Sequence, residues 1–346
     1  MFQLLSSSIY VEYILKHWHH SLIVKIMTNS KFQKISYLIL MSFATNIISN
    51  PVTGTIEEFF LESNQSYERR VQVYYPFSKE IDKDTKFIIM NDGEELFDGA
   101  DSYNDKAWNI DKSFLNMKER GYQGNNIVII AIDSAKRVDS QIFNETRRYA
   151  EYFPNETIEF LEGGIKKRLY RSHIGKKEQN HPSFIVKKLI PFLENKFQSN
   201  LNKTNMGIIG ASMGSLSAIN TVIENPGLFG FVGCISTHWI GINPSAYFLR
   251  FFNLGNSKTF GDVDITESII KYIEKNADKL KDTKIYFDHG SLGLDTFYPE
   301  PQKRVNKTLD AKGIKYKYQV FQGHSHDAKY FGQRYGDILA YLVDSE

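Results

Sequence analysis

Gly210-Ala211-Ser212-Met213-Gly214 sets a serine between two glycines at G-x-S-x-G spacing. A serine hydroxyl becomes a useful nucleophile toward an acyl carbon when a base and an orienter for that base lie beside it. The residues on either side of the pentapeptide suit that task. Met206-Gly207-Ile208-Ile209 is an apolar run fit for a buried strand, and Leu216, Ala218, Ile219, Val222 and Ile223 recur at helical spacing. A strand, a sharp turn and a helix would lift Ser212 to the carboxyl end of a parallel sheet. The glycines are needed because the turn is strained and the two backbones pack closely. The Met213 N–H would then point at a developing oxyanion.

The base and acid are sought after the serine, at the ends of later strands. Thr283–Asp288 reads as a strand and leads into His289-Gly290-Ser291-Leu292-Gly293-Leu294-Asp295. Tyr316–Phe321 alternates as another and leads into Gln322-Gly323-His324-Ser325-His326-Asp327. Asp295 and Asp288 compete as the acid. Asp295 is favoured because the acid of such a triad usually sits on the loop beyond the strand. His324 and His326 both stand where the base is expected. A second oxyanion donor is expected from the Gly93 or Glu94 amide, in the turn Asn91-Asp92-Gly93-Glu94 after the strand Lys86–Met90. His238-Trp239, followed by Tyr247-Phe248 and Phe251-Phe252, offers aromatic surface either to a substrate or to the core. This chemistry requires no metal and no organic cofactor.

The elements that must carry these residues alternate along the chain. Glu57–Glu62 and Arg69–Tyr75 read as strands, followed by Lys86–Met90, Asn126–Asp133, the serine strand and Phe231–Ser236. Helical patterns cover Ser183–Phe197, Ile265–Lys279, Gln302–Lys312 and Tyr330–Val343. Pro191 should kink the first of them, and Gly313 should close the third. The segments 134–178 and 237–262 look irregular and follow strand ends, where they can form walls or a lid. Strands alternating with helices imply an α/β fold, a mostly parallel central sheet with helices on both faces.

Composition narrows the class. The 346 residues are 42% hydrophobic and 24% charged, with 25 Phe and 20 Tyr to fill a large core. The 42 basic and 40 acidic residues leave a net charge of +2, and no basic stripe suggests nucleic acid. The one cysteine, Cys234, excludes an intrachain disulfide and a cysteine-based zinc site. Its apolar neighbours Phe231, Val232 and Ile235 mark it as a buried structural thiol.

Several stretches together resemble a family of α/β-hydrolase esterases that includes enterochelin esterases, esterase D and bacterial feruloyl esterases. Met90–Asp98 resembles the family's oxyanion strand and loop. Trp108 with Asp111 resembles its tryptophan helix. Asp133, Arg148, Glu151, Tyr152 and Pro154 resemble its I-D…R-x-x-E-Y-x-P segment, here with a long insertion before the arginine. Phe184–Phe192 resembles its F-x-x-x-x-L-I-P-F helix. The resemblance spans roughly residues 55–345 and implies an α/β-hydrolase fold and hydrolysis of a small-molecule ester through a Ser-His-Asp triad and an acyl-enzyme. It also implies His326 as the base, because Gly323, His326 and Arg334 fit the family's glycine, histidine and arginine spacing whereas His324 does not. The acid loop lacks the family's early acidic residue. The rival readings are an acyltransferase on the same fold and a non-catalytic binding domain that kept it.

Residues 1–54 read as an N-terminal extension and 55–346 as one domain. Within the extension, Lys31 and Lys34 precede the apolar run Ile35–Met41 and the small-x-small site Ser42-Phe43-Ala44. That is the pattern of a secretory signal peptide over 27–44, too short to span a membrane; it implies a secreted or periplasmic enzyme, and without it the enzyme would be cytoplasmic. N-terminal sequencing of the exported protein is expected to find a chain that begins near Thr45. A mature chain starting at Met1 or Met27 would refute the export signal.

Overall fold

The computed structural model describes residues 53–63, 68–97, 107–122, 126–135, 141–174, 177, 180–241 and 261–343, with the backbone alone for 141–146. They lie in one compact unit, Asn50–Glu346. The expected signal segment and Tyr247, Phe248, Phe251 and Phe252 fall outside the described residues.

Eight strands form one sheet. They are β1 (Thr55–Glu62), β2 (Glu68–Tyr75), β3 (Lys86–Asn91), β4 (Ile127–Ile132), β5 (Met206–Ala211), β6 (Phe231–Ile235), β7 (Lys284–Leu292) and β8 (Tyr316–Ser325). Their order is β1-β2-β4-β3-β5-β6-β7-β8. β1 and β2 pair antiparallel, β2 joins β4 antiparallel, and every pairing from β4 to β8 is parallel. Every residue of β4, β5 and β6 is buried, which is why these strands read as unbroken apolar runs.

Helices cover both faces. On one face lie α1 (Ile110–Glu119) and, at the chain's end, α9 (Ala328–Val343), whose Phe114, Tyr335, Ile338 and Leu339 pack on Ile88, Met90, Ile129 and Ile209. The other face carries α2 (Gln141–Tyr152), α3 (Gly164–Ile174), α4 (His181–Phe184), α5 (Ile190–Phe197), α6 (Met213–Glu224), α7 (Val263–Asn276) and α8 (Pro299–Ala311). Tyr152, Leu193, Leu216, Ile219 and Ile269 there meet Phe87, Ile89, Val128 and Ile130. Alternate residues of β3 thus serve opposite cores. Each such side chain contributes about 1.5–3 kcal/mol on burial. This is the α/β-hydrolase fold expected from the alternation.

Several local expectations are corrected. The segment 134–178 is mostly ordered: α2, a 3-10 stretch at Asn155–Phe160 and α3 occupy it. The helix expected from Ser183 starts at His181, where the Asn180 side chain accepts the Ser183 N–H. Pro191 causes no sharp break. A π turn, Ile185–Leu189, immediately precedes α5, and the wider turn accommodates the ring and the missing N–H. β7 and β8 run past Asp288 and Phe321 to pair as Leu292 with Ser325, through a register shift between Gly290 and Leu292. Gly313 closes α8 as expected, at φ 66°.

α9 approaches the loop before α1 so closely that a Cβ on Gly332 would lie 1.8 Å from the Trp108 carbonyl oxygen and 2.8 Å from its Cα. Backbone cannot yield there as a flexible side chain could. Gly332→Ala is therefore expected to destabilise the fold by about 1–3 kcal/mol, the usual cost of overpacking. Urea denaturation checks this, and an unchanged midpoint would contradict it.

Candidate active site

The serine turn is built as its sequence implies. Ser212 sits between β5 and α6 at φ 56°, ψ −123°, a conformation that a residue with a side chain adopts only under constraint. A Cβ on Gly210 would lie 2.3 Å from the Gly214 carbonyl oxygen, and one on Gly214 would lie 2.4 Å from Asp92 Oδ2. The Ser212 N–H donates to the Ile235 carbonyl at 2.9 Å, and its own carbonyl accepts from Ser215, Leu216 and His238. Ser212 is partly exposed while Ala211 and Met213 are buried.

β7 and β8 bring Asp295 and His326 together. Asp295 lies on the 3-10 turn Gly293–Phe297 beyond β7, with its side chain fully buried. Its Oδ1 meets His326 Nδ1 at 2.6 Å. Its Oδ2 accepts from the Ser236 hydroxyl at 2.8 Å and the Gly290 N–H at 2.6 Å. Burial pushes this carboxyl up, but His326 and these donors together hold it below the ordinary carboxylate range. An ionised Asp295 can only accept, so His326 Nδ1 carries the proton and Nε2 is left as the basic atom. Tyr298 and Phe331 pack edge-on against the imidazole, at 5.6 and 5.2 Å between ring centres.

The competing residues have other partners. Asp288 accepts from Arg334 Nη1 at 2.9 Å, the Ser236 N–H at 3.2 Å and the Tyr286 hydroxyl at 3.2 Å. Burial raises its pKa to about 6 against the opposing pull of Arg334. His324 receives Arg334 Nε at 3.3 Å and packs on Phe321 and Tyr330. Arg334, the residue in the histidine-arginine spacing, is buried beneath the whole loop and also donates to the Ser236 hydroxyl at 3.1 Å.

On the β3 side, Asp92 takes a left-handed conformation at φ 59° and opens the turn Gly93–Glu95. The Glu95 and Leu96 amides close that turn on the Asp92 and Gly93 carbonyls. The Glu94 carboxylate accepts from the Ser134 N–H and hydroxyl. Among the described residues, none of the Gly93, Glu94 and Met213 amides donates to a backbone carbonyl. Both amides anticipated from this turn therefore stay open to a ligand.

The two aromatic candidates separate. Trp239 is fully buried, with its indole N–H on Gln302 Oε1 at 2.8 Å and its ring near Phe287. It is core, and the expectation that it lines a substrate site is corrected. His238 stays close to the serine. Its Nε2 must donate to the Gly241 carbonyl at 3.1 Å, so Nδ1 accepts from the Tyr298 hydroxyl at 3.1 Å. Burial first, then the charge of His326, lowers its pKa to about 3, so it stays neutral. Tyr298 and Ser236 were not anticipated from sequence. Tyr298, three residues after Asp295, had no neighbouring motif to single it out.

Among the described residues no cluster of three His, Cys, Asp or Glu side chains could hold a metal ion. Among them, too, no helix is long and apolar enough to cross a membrane.

A strained serine turn on a mostly parallel sheet, with a buried aspartate–histidine pair at the ends of later strands, defines an enzyme of the α/β-hydrolase fold. A family model described as "Putative esterase" matches residues 67–342, and the chain belongs to that family: it is a carboxylic ester hydrolase. No curated protein sequence matches it. Among solved structures it is similar to a ferulic acid esterase (15% identity, TM-score 0.57, covering 84% of this chain and 98% of that one). It is also similar to the enterochelin esterase of Shigella flexneri (14%, TM-score 0.51, 84% of this chain and 57% of that one). A third is FphF, a fluorophosphonate-binding serine hydrolase of Staphylococcus aureus (11%, TM-score 0.51, 85% of this chain and 100% of that one). At these identities the likeness establishes the fold.

The two histidines separate experimentally. His326→Ala is expected to lower kcat by several powers of ten, and His324→Ala by about tenfold or less. Asp295→Asn should cost roughly 10⁴-fold, since it puts the imidazole in the wrong tautomer. Asp288→Asn should instead lower the melting temperature. A dead His324→Ala beside an active His326→Ala would reverse the assignment.

Proposed function

We propose that this ester hydrolase works through a covalent acyl-enzyme on Ser212. The Ser212 hydroxyl attacks the ester carbonyl as its proton passes to His326 Nε2. The resulting imidazolium is held through Nδ1 by Asp295. The Met213 and Gly93 amides receive the oxyanion of the tetrahedral intermediate, each worth about 3 kcal/mol of barrier. His326 returns the proton to the leaving alcohol. Water, activated by the same imidazole, then hydrolyses the acyl-enzyme. The observation that carries this reading is the 2.6 Å bond from Asp295 to His326. It leaves a basic nitrogen on a ring held edge-on by Tyr298 and Phe331.

The substrate is a small-molecule carboxylic ester, and the likeness to a ferulic acid esterase makes feruloyl esters the first to try. The basic and apolar pattern over 27–44 supports export of the enzyme as part of the same reading.

Ser212→Ala is expected to fold normally and to lose roughly a million-fold in ester turnover. A fluorophosphonate probe should add one adduct to the wild-type protein, which peptide mass spectrometry maps to the segment containing Ser212. A folded wild-type protein that takes no adduct and hydrolyses no ester would refute the mechanism and favour a binding domain on this fold.

A further inference from the structure

Beneath the turn after β3, buried side chains form a hydrogen-bond chain that can run in one direction only. Arg69, on β2, faces His181 Nδ1 through Nη1 at 2.6 Å, and a guanidinium only donates. His181 Nε2 meets Asn91 Oδ1 at 2.8 Å, and Asn91 Nδ2 donates to the Gly214 carbonyl at 2.7 Å. A carbonyl only accepts. Both ends therefore fix the polarity: His181 is neutral with its proton on Nε2, and the Asn91 amide has one possible orientation. Burial holds the His181 pKa well below its ordinary value, and the Arg69 and Arg148 charges act the same way. Arg69, His181 and Asn91 are each at most 2% exposed. Glu151 neutralises Arg69 through Nη2, and the Tyr152 ring packs against the imidazole at 4.7 Å.

The chain ends at the two pieces of backbone that matter most to the proposed reaction. Asn91 lies two residues before Gly93, and Gly214 directly follows Met213. One amide side chain thus ties the turn after β3 to the first turn of α6. The two are already in contact, since a Cβ on Gly214 would meet Asp92 Oδ2 at 2.4 Å and Asn91 Cβ at 3.2 Å. Arg148 clamps Asp92 from outside, with Nε and Nη2 at 2.6 and 2.7 Å from its carboxylate oxygens. Apolar side chains of the same volume can stabilise a buried site as well as a charged network does. The amide of Asn91 adds a directional bond that fixes one distance between the two backbone segments.

We propose that His181 is a positioning residue for the oxyanion hole, acting through Asn91 to fix the separation of the Gly93 and Met213 amides. The proposal rests on the Ser212 mechanism above. Displacing an oxyanion donor weakens transition-state binding and leaves ground-state binding nearly alone, because the donors must meet the oxyanion at one position.

The test uses His181→Leu, which cuts the chain and fills the space, and His181→Gln, whose amide can accept from Arg69 and donate to Asn91. Asn91→Asp, a near-isosteric change that sets a carboxylate against the Gly214 carbonyl, covers the case in which His181→Leu fails to fold. Folded enzyme is counted by fluorophosphonate titration. His181→Leu and Asn91→Asp are expected to lower kcat about 10- to 100-fold with KM within about twofold, and to slow fluorophosphonate labelling in proportion. His181→Gln should recover most of both rates. If wild type labels on Ser212 but His181→Leu or Asn91→Asp keeps kcat within twofold, this proposal falls and the mechanism stands. The proposal also falls if His181→Gln is as slow as His181→Leu. A wild type that does not label refutes the mechanism itself.

Discussion

The backbone of Ser212, held at φ 56°, ψ −123°, is the constraint on which the site depends. A residue with a side chain leaves that conformation unless its surroundings prevent it, at a cost of order 1–3 kcal/mol. Here the Ile235 carbonyl holds the Ser212 N–H, and three amides hold its carbonyl. The absent side chains of Gly210 and Gly214 let β5, α6 and the β3 turn meet at backbone distance. The parallel strands β3 to β8 supply the rest, because they all end on the side where the serine emerges.

Two buried arginines brace the site from opposite sides. Arg334, on α9, lies under the acid and base loops, where it reaches Asp288, Ser236 and His324. Arg69, on β2, lies under the turn after β3, where it reaches Glu151 and His181. Each has a carboxylate partner and further hydrogen bonds, so the charge is compensated where water cannot reach it. Losing one partner of such a pair costs about 3–5 kcal/mol, because the other is left buried and charged. The arrangement also explains why two aspartates near the end of β7 behave differently. Asp288 is spent on Arg334, which leaves Asp295 for the imidazole.

Much of the fold was legible because the parallel strands are buried on both faces, and Ile127–Ile132 and Met206–Ala211 therefore read as apolar runs. Strand ends were less legible. His289-Gly290-Ser291 and Gln322-Gly323-His324 look like loop sequence, yet β7 and β8 pair through them across an irregularity. The helix at His181 was placed two residues late, because its start depends on the Asn180 side chain and not on periodicity. Asp295 could be favoured because it follows a strand and stands in the order the chemistry requires, whereas His326 was separated from His324 only by the resemblance, through its spacing from Gly323 and Arg334. Partners set by tertiary packing left no such signal. Asn91 and His181 lie ninety residues apart, Ser236 and Asp295 fifty-nine. Trp239 stood open between substrate and core because its burial under Gln302 and Phe287 comes from elements far along the chain.

Cys234, in the middle of β6, has no exposed surface, and burial pushes its thiol up to about 12. At neutral pH it is protonated and out of reach of alkylating reagents. Since it is the only cysteine in the chain, the protein is a natural background for site-specific labelling. Leu292 and Phe297 flank the acid turn and are 50% and 46% exposed. A cysteine introduced at either place would be the sole reactive thiol. A fluorophore or spin label attached there would report the environment beside Asp295 with no native residue to be removed first.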